Sequence, residues 1–231
     1  MVLKRPDVTI NTAITADGKI DSVLRQGAKI STEADMARMD RLRAGNDAVM
    51  VGGQTLIYED PRLALKSPAL QDERVAKGQS PNPIKVGVVS VANIELQSRF
   101  ISFGLARKIL YTTTRSSSEQ IERLQTAGVE VFVIGEQRVD LAAALESLYI
   151  LGVRRLLVEG GGTLIAEFFR LRLVDDLFLY IGAKIFGGAS APTLVDGPGF
   201  LPEDAPQLRL LSVEAVGDEG GILVHYNVKP S

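Results

Sequence analysis

From residue 47 to residue 171 the chain repeats one pattern: a short apolar run, a break, then a stretch of helical character. The apolar runs are Asp47 to Val51, Ile84 to Ser90, Lys108 to Thr113, Val129 to Ile134 and Arg154 to Val158. Helices are expected from about Ser118 to Ala127, from an Asp140 cap to Gly152, and from Gly162 to Leu171. Strands that alternate with helices form a largely parallel sheet with helices on both faces, because each parallel crossover needs a connection of that length. Before this stretch, Asp7 to Ala13 alternates as a strand, Asp17-Gly18 reads as a turn, and Ser31-Thr32 precedes a helix that stops at Gly45. After it, Val174–Ile181, Gln207–Ala215 and Gly221–Val228 read as strands with no helix between them, so antiparallel pairing is expected at the C-terminal end. The fold class expected is therefore α/β, with one domain over residues 1–231. Residues Ala64 to Pro83, polar and rich in Pro, Ser, Gln and Lys, read as an exposed, mobile loop.

Several classes of function fall away. Nucleic-acid binding needs clustered Lys and Arg, and a formal net charge of −2 gives no basic excess. No stretch approaches the roughly 20 apolar residues of a membrane span. Met1-Val2-Leu3-Lys4-Arg5-Pro6 has no apolar signal core behind it, so a soluble, cytoplasmic protein is expected. The chain has no cysteine and one histidine, His225, which excludes thiolate zinc sites, iron–sulfur clusters and a histidine metal cluster. No metal site is expected, and His225 reads as an ordinary strand residue.

The strongest local signal is Val158-Glu159-Gly160-Gly161-Gly162-Thr163-Leu164, where a strand ends in three glycines and a helix begins. Glycines let a backbone approach a ligand closely, and free N–H groups at a helix start favour an anion such as a pyrophosphate. Glu159 stands at that strand end, and Asp17 follows the first strand in Ala16-Asp17-Gly18-Lys19. Gly52-Gly53 and Gly187-Gly188 add further glycine junctions. Lys29, Arg43 and Lys66 are basic residues suited to phosphate.

These motifs together resemble the reductase family of riboflavin biosynthesis, in its stand-alone archaeal and fungal form. The matching residues are Thr15-Ala16-Asp17-Gly18-Lys19, Leu42-Arg43-Ala44, Met50-Val51-Gly52, Thr55-Leu56, Asp60-Pro61-Arg62-Leu63, Glu159 to Leu164, Leu173-Val174-Asp175, Lys184 to Gly188 and Ala191-Pro192-Thr193. The resemblance covers residues 7 to 228. It implies a dihydrofolate-reductase-like fold, usually a homodimer, and NADPH-dependent reduction of a ribosylamino-pyrimidinone 5′-phosphate to its ribitylamino form. The fused version of the family carries a zinc deaminase domain. The absence of cysteine excludes such a domain here and favours the still-aminated substrate, 2,5-diamino-6-ribosylamino-4(3H)-pyrimidinone 5′-phosphate.

Carried over by position, the resemblance implies that Ala13, Lys29, Thr55, Glu59, Ser90 and the run Gly160, Gly161, Gly162, Thr163 and Leu164 contact the cofactor. It implies that Gly27, Arg43, Leu63, Lys66 and Glu159 contact the substrate, with Glu159 or Asp17 assisting proton transfer. Three positions depart from the family pattern: Glu59 stands for an aspartate, Lys66 for an arginine, and Val89-Ser90-Val91 for Asp-Ser followed by a cation. The last removes a charge suited to the 2′-phosphate of NADPH, so NADH stays open as the cofactor. Two other functions are compatible with the motifs, reduction of a different pterin or pyrimidine and a non-catalytic dinucleotide-binding dimer.

Overall fold

The computed structural model describes residues 4–229. Its contacts divide the chain into two compact units, one of residues Met1–Pro6 and Asp40–Leu157, the other of Asp7–Met39 and Val158–Ser231.

In the first unit the strands are β2 (Ala48–Gly52), β3 (Ile84–Val88), β4 (Lys108–Thr112), β5 (Glu130–Val133) and most of β6 (Arg155–Val158), in the order β5-β4-β3-β2-β6. β2 pairs with β3, β3 with β4 and β4 with β5, all parallel. Every residue of β2 is buried, as expected of a strand covered on both faces. The core gathers Val49, Val51, Leu56, Leu63, Phe100, Leu110, Leu124 and Leu157. Each such side chain removed from water contributes about 1.5–3 kcal/mol. Gly87 permits this packing, because a Cβ there would lie 2.7 Å from methyl carbons of both Leu110 and Leu56. The helices are α2 (Pro68–Ala76), α3 (Arg99–Ser102), α4 (Ser118–Thr126) and α5 (Leu141–Ile150), besides the C-terminal half of α1 (Glu33–Ala44). Ser117 and Gln120 form a reciprocal capping box on α4, and the Asp140 carboxylate caps α5 by accepting from Ala143 N.

The segment Ala64 to Pro83 is not the exposed mobile loop expected from its composition. Leu63, Ala64 and Leu65 are buried, α2 occupies the middle of the segment, and Ser67 caps it with Pro68 in its first turn. Ser67-Pro68 is a helix-start signature, and the polar composition around it conceals how the segment is anchored. The Arg74 guanidinium, buried, donates to the carbonyls of Ala44, Asn46 and Ser80. Asn82 accepts from Leu65 N and donates to Leu105 O.

In the second unit the strands are β1 (Asp7–Thr15), β7 (Asp176–Gly182), β8 (Leu208–Val216) and β9 (Gly221–Val228), in the order β1-β7-β9-β8. β1 pairs parallel with β7, whereas β7–β9 and β8–β9 are antiparallel, as the helix-free C-terminal stretch predicts. Helix α6 (Gly162–Arg170) buries Leu164, Ile165, Phe168 and Phe169. A second cluster forms around Ile30, Tyr180 and Leu223. His225 stacks on the Phe178 ring at 3.9 Å and lies 3.0 Å from the Asp176 carboxylate. These contacts account for it as a strand residue.

Candidate active site

Parallel strands end together, and their carboxyl ends are where α/β sheets present ligand-binding loops. In the second unit β6 ends at Val158 and is followed by Glu159, which is half-buried. Gly160 has φ 135°, a conformation open to glycine, and the Gly160–Gly161 peptide is cis. Gly161 is the N-cap of α6 and has no side chain with which to occupy the first N–H groups of the helix. At Gly162 a Cβ would lie 2.8 Å from the Thr193 carbonyl oxygen and 3.0 Å from Asp196 Oδ2. Asp196 Oδ1 in turn accepts from Thr193 N and Oγ1. Gly161 thus leaves the start of a nine-residue helix without a side-chain cap, while Gly162 is packed against Thr193 and Asp196, and an uncapped helix start suits a pyrophosphate.

Asp17 follows the end of β1. Its carboxylate accepts from Thr15 Oγ1 at 2.6 Å, Gly187 N at 2.7 Å and Phe186 N at 3.2 Å. The Thr15 hydroxyl leads these donors in holding the carboxyl below its ordinary range, with Gly187 and Phe186 adding to the effect. Asp17 therefore ties the loop after β1 to the Gly187-Gly188 junction after β7. Gly27 sits in a loop gathered by Asp21, whose carboxylate accepts from the N–H groups of Ser22, Gly27 and Ala28. Lys29 is exposed and pairs with Glu33 at 3.1 Å, a contact of little worth and easily given up. Lys184 Nζ donates to Lys29 O. Ala13 packs on the Ile30–Tyr180–Leu223 cluster.

In the first unit the structure draws three of the expected substrate positions together. Arg43 is buried and its guanidinium donates to Ala64 O at 3.4 Å. Leu63 adopts φ 46° and is fully buried. The Asp40 carboxylate accepts from Lys66 N at 2.9 and 3.1 Å and from Ser67 N at 2.9 Å. Asp40 and Asn82 thereby fix residues 63–67 beside Arg43 and leave the Lys66 side chain exposed.

The expected cofactor positions of this unit lie at the ends of β2 and β3. Thr55 to Glu59 forms a short π-helical turn, with Thr55 buried and Glu59 exposed. Arg99 secures its far end, donating to Glu59 O and to the Asp60 carboxylate. Gly53 packs on Val89, where a Cβ would lie 3.2 Å from a Val89 methyl. Ser90 follows β3, and its carbonyl accepts from Thr113 Oγ1 at 2.7 Å.

Sequence reasoning missed Asp21, Asp40, Asn82 and Arg99, the residues that shape these loops. Asp21-Ser22 carries a local turn signal. Asp40 lies within a helix, and only its burial distinguishes it. Among the described residues there is no metal-binding cluster and no helix long and apolar enough to cross a membrane.

The model of the RibD C-terminal domain family matches residues 6–220. The 2,5-diamino-6-ribosylamino-4(3H)-pyrimidinone 5′-phosphate reductase of Archaeoglobus fulgidus is 39% identical over 223 residues, covering 96% of this chain and 99% of that one. The enzyme of the same name from Methanothermobacter thermautotrophicus is 36% identical over 226 residues, covering 97% and 99%. Among solved structures, a pyrimidine reductase-like protein from Corynebacterium diphtheriae aligns with a TM-score of 0.82 at 21% identity, over 98% of this chain and 93% of that one. The Saccharomyces cerevisiae riboflavin biosynthesis reductase Rib7 aligns with a TM-score of 0.65 at 17% identity, over 97% and 90%. These structural likenesses establish the dihydrofolate-reductase-like α/β fold.

Proposed function

We propose, from the premise that this chain belongs to the RibD C-terminal domain family, that it acts as one reductase domain of riboflavin biosynthesis. It reduces 2,5-diamino-6-ribosylamino-4(3H)-pyrimidinone 5′-phosphate to the ribitylamino product, the activity named for its relatives in Archaeoglobus and Methanothermobacter. The single observation that carries the dinucleotide part of this reading is Gly162. Gly161 before it caps α6 without a side chain, and Gly162 is held so closely against Thr193 O and the Asp196 carboxylate that a Cβ has no room. NADPH would supply the hydride. Gly160 to Thr163 would hold its pyrophosphate through backbone N–H groups, with Leu164, whose own N–H donates to Gly161 O, and Ala13, Lys29, Thr55, Glu59 and Ser90 as the other contacts.

The chain's own residues have simpler tasks. Arg43 and Lys66 hold the substrate phosphate, with Lys66 presented by the Asp40 clamp. Gly27 and Leu63 shape the substrate contacts. For hydride to reach the sugar carbon, the ribosylamine ring must open to an imine. On opening, the nitrogen gives up its proton and the ring oxygen gains one; on reduction the carbon takes the hydride and the imine nitrogen gains one proton. We assign this proton handling to Glu159 rather than Asp17. A carboxyl held below its ordinary range by three donors is a poor acid near neutrality. Positioning and exclusion of water supply the rest.

The partner in assembly is a second copy of the chain. β8 is last in the strand order of its unit and exposes Leu208, Leu210, Leu211 and Val213, an apolar edge of the kind that proteins cover. The test of function is absorbance-monitored oxidation of NADPH, beside NADH, with the diamino substrate and with its deaminated counterpart. Turnover with the diamino compound supports the reading. Dinucleotide binding without turnover on either pyrimidine refutes the substrate.

A further inference from the structure

The exit of β3, Val89-Ser90-Val91, carries no cation, yet a 2′-phosphate on the dinucleotide would need one. The neighbouring exit supplies it. β3 and β4 run parallel, with Val88 opposite Tyr111, so Ser90 and the segment Thr113 to Ser116 leave the sheet side by side. Three hydrogen bonds lock the two exits together, and a fourth braces the second from within. Thr113 Oγ1 donates to Ser90 O at 2.7 Å, and Ala92 N donates to Ser116 Oγ at 2.8 Å. Ser116 Oγ also shares a hydrogen with Thr112 Oγ1 at 2.6 Å, and Val89 N donates to Tyr111 O at 3.0 Å. Arg115 stands in the middle of this framework, its own N–H bonded to Thr113 Oγ1 at 3.2 Å.

Arg115 is the one cation on the two exits, residues 89–93 and 113–117. It is exposed, and among the described residues neither its guanidinium nor the Ser90 hydroxyl has an ion-pair or hydrogen-bond partner. Other cations of this unit are engaged: Arg99 by Asp60, Arg123 by Ile94 O, and Lys85 by three backbone carbonyls. A guanidinium offers a fork of donors matched to phosphate, and its backbone here is fixed by hydrogen bonds.

We propose that Arg115 recognises the 2′-phosphate of the dinucleotide, with the Ser90 hydroxyl beside it, and so makes this chain prefer NADPH over NADH. The inference rests on the dinucleotide reading above, and its test separates the two. Calorimetric titration of the full chain with NADPH, NADH, adenosine 2′,5′-bisphosphate and 5′-AMP gives affinities without any turnover. The wild type binds each 2′-phosphorylated compound roughly ten-fold or more tightly than its counterpart. Arg115→Ala weakens the 2′-phosphorylated compounds by about that factor and leaves NADH and AMP within roughly two-fold. Arg115→Lys retains part of the preference, because charge remains and the fork is lost. The salt dependence of NADPH binding is shallower in the alanine variant than in the wild type. Equal wild-type affinity for both cofactors, or an alanine variant that weakens both alike or neither, overturns the proposal and leaves the dinucleotide reading intact. No binding of either cofactor overturns both. Should the alanine variant melt early, the lysine variant and the wild-type salt slope still decide.

Discussion

Lys85 gives a stability prediction whose sign is set by burial. Its side chain has no exposed surface. Its ammonium donates to Phe103 O at 2.6 Å, Phe100 O at 3.1 Å and Arg99 O at 3.2 Å. Burial pushes its pKa from 10.5 down to about 8, with the Lys108 charge adding to the effect and Asp60 opposing it. The folded chain therefore holds this proton less tightly than the unfolded chain does. Between pH 8 and pH 10.5 the unfolded chain binds the more protons, so stability rises with pH across that window. A shift of that size corresponds to about 3 kcal/mol, of which about 2.5 kcal/mol appears between pH 7 and pH 10. Lys85→Met removes the titration and keeps the apolar stem. Chemical denaturation of both proteins, repeated across this range, cancels every other titrating group in the difference. The wild type gains on the variant by about that amount as pH rises. A constant difference refutes the reasoning. A reversed slope shows that the three carbonyls stabilise the ammonium more than burial destabilises it.

Gly162→Ala places a Cβ 2.8 Å from Thr193 O. It should cost about 1–3 kcal/mol of stability and weaken dinucleotide binding roughly ten-fold, read by thermal melting and calorimetry. A variant with unchanged binding would remove the pyrophosphate assignment. Glu159→Gln should lower kcat roughly hundred-fold or more, whereas Asp17→Asn should leave the limbs of the pH–rate profile in place and alter stability instead. The opposite pattern would exchange their roles. Arg43→Ala should raise KM for the phosphorylated substrate roughly ten-fold or more, because a charge-assisted contact is lost. An unchanged KM contradicts its assignment to the phosphate.

The strand–helix alternation was readable because local signals agree with the final structure. Buried apolar runs formed β2, β3 and β4, and Ser117 and Asp140 capped the helices they precede. The order of segment 64–83 is hidden from composition because it comes from distant side chains. Arg74 binds carbonyls around residue 45, and Asn82 binds Leu65 and Leu105. Composition does not report such bonds. The candidate site divides in the same way. The glycines at 160–162 announce themselves as a run, and Gly160 at φ 135° and Gly162, where a Cβ would meet Thr193 O, have physical reasons to be glycine. Asp21 and Asp40 act by gathering backbone N–H groups of loops, a role that depends on where the loops return. Arg115 was invisible for the same reason. Its place beside Ser90 follows from the pairing of β3 with β4.

The central claim is hydride transfer from a nicotinamide dinucleotide to the sugar carbon of the ribosylamino-pyrimidinone. The most direct measurement uses NADPH carrying deuterium on its transferable position, the diamino substrate and the purified chain, with mass spectrometry of the product. The account predicts a ribitylamino product with one deuterium on the former anomeric carbon. An unlabelled product, or no product from a chain that binds NADPH, contradicts it.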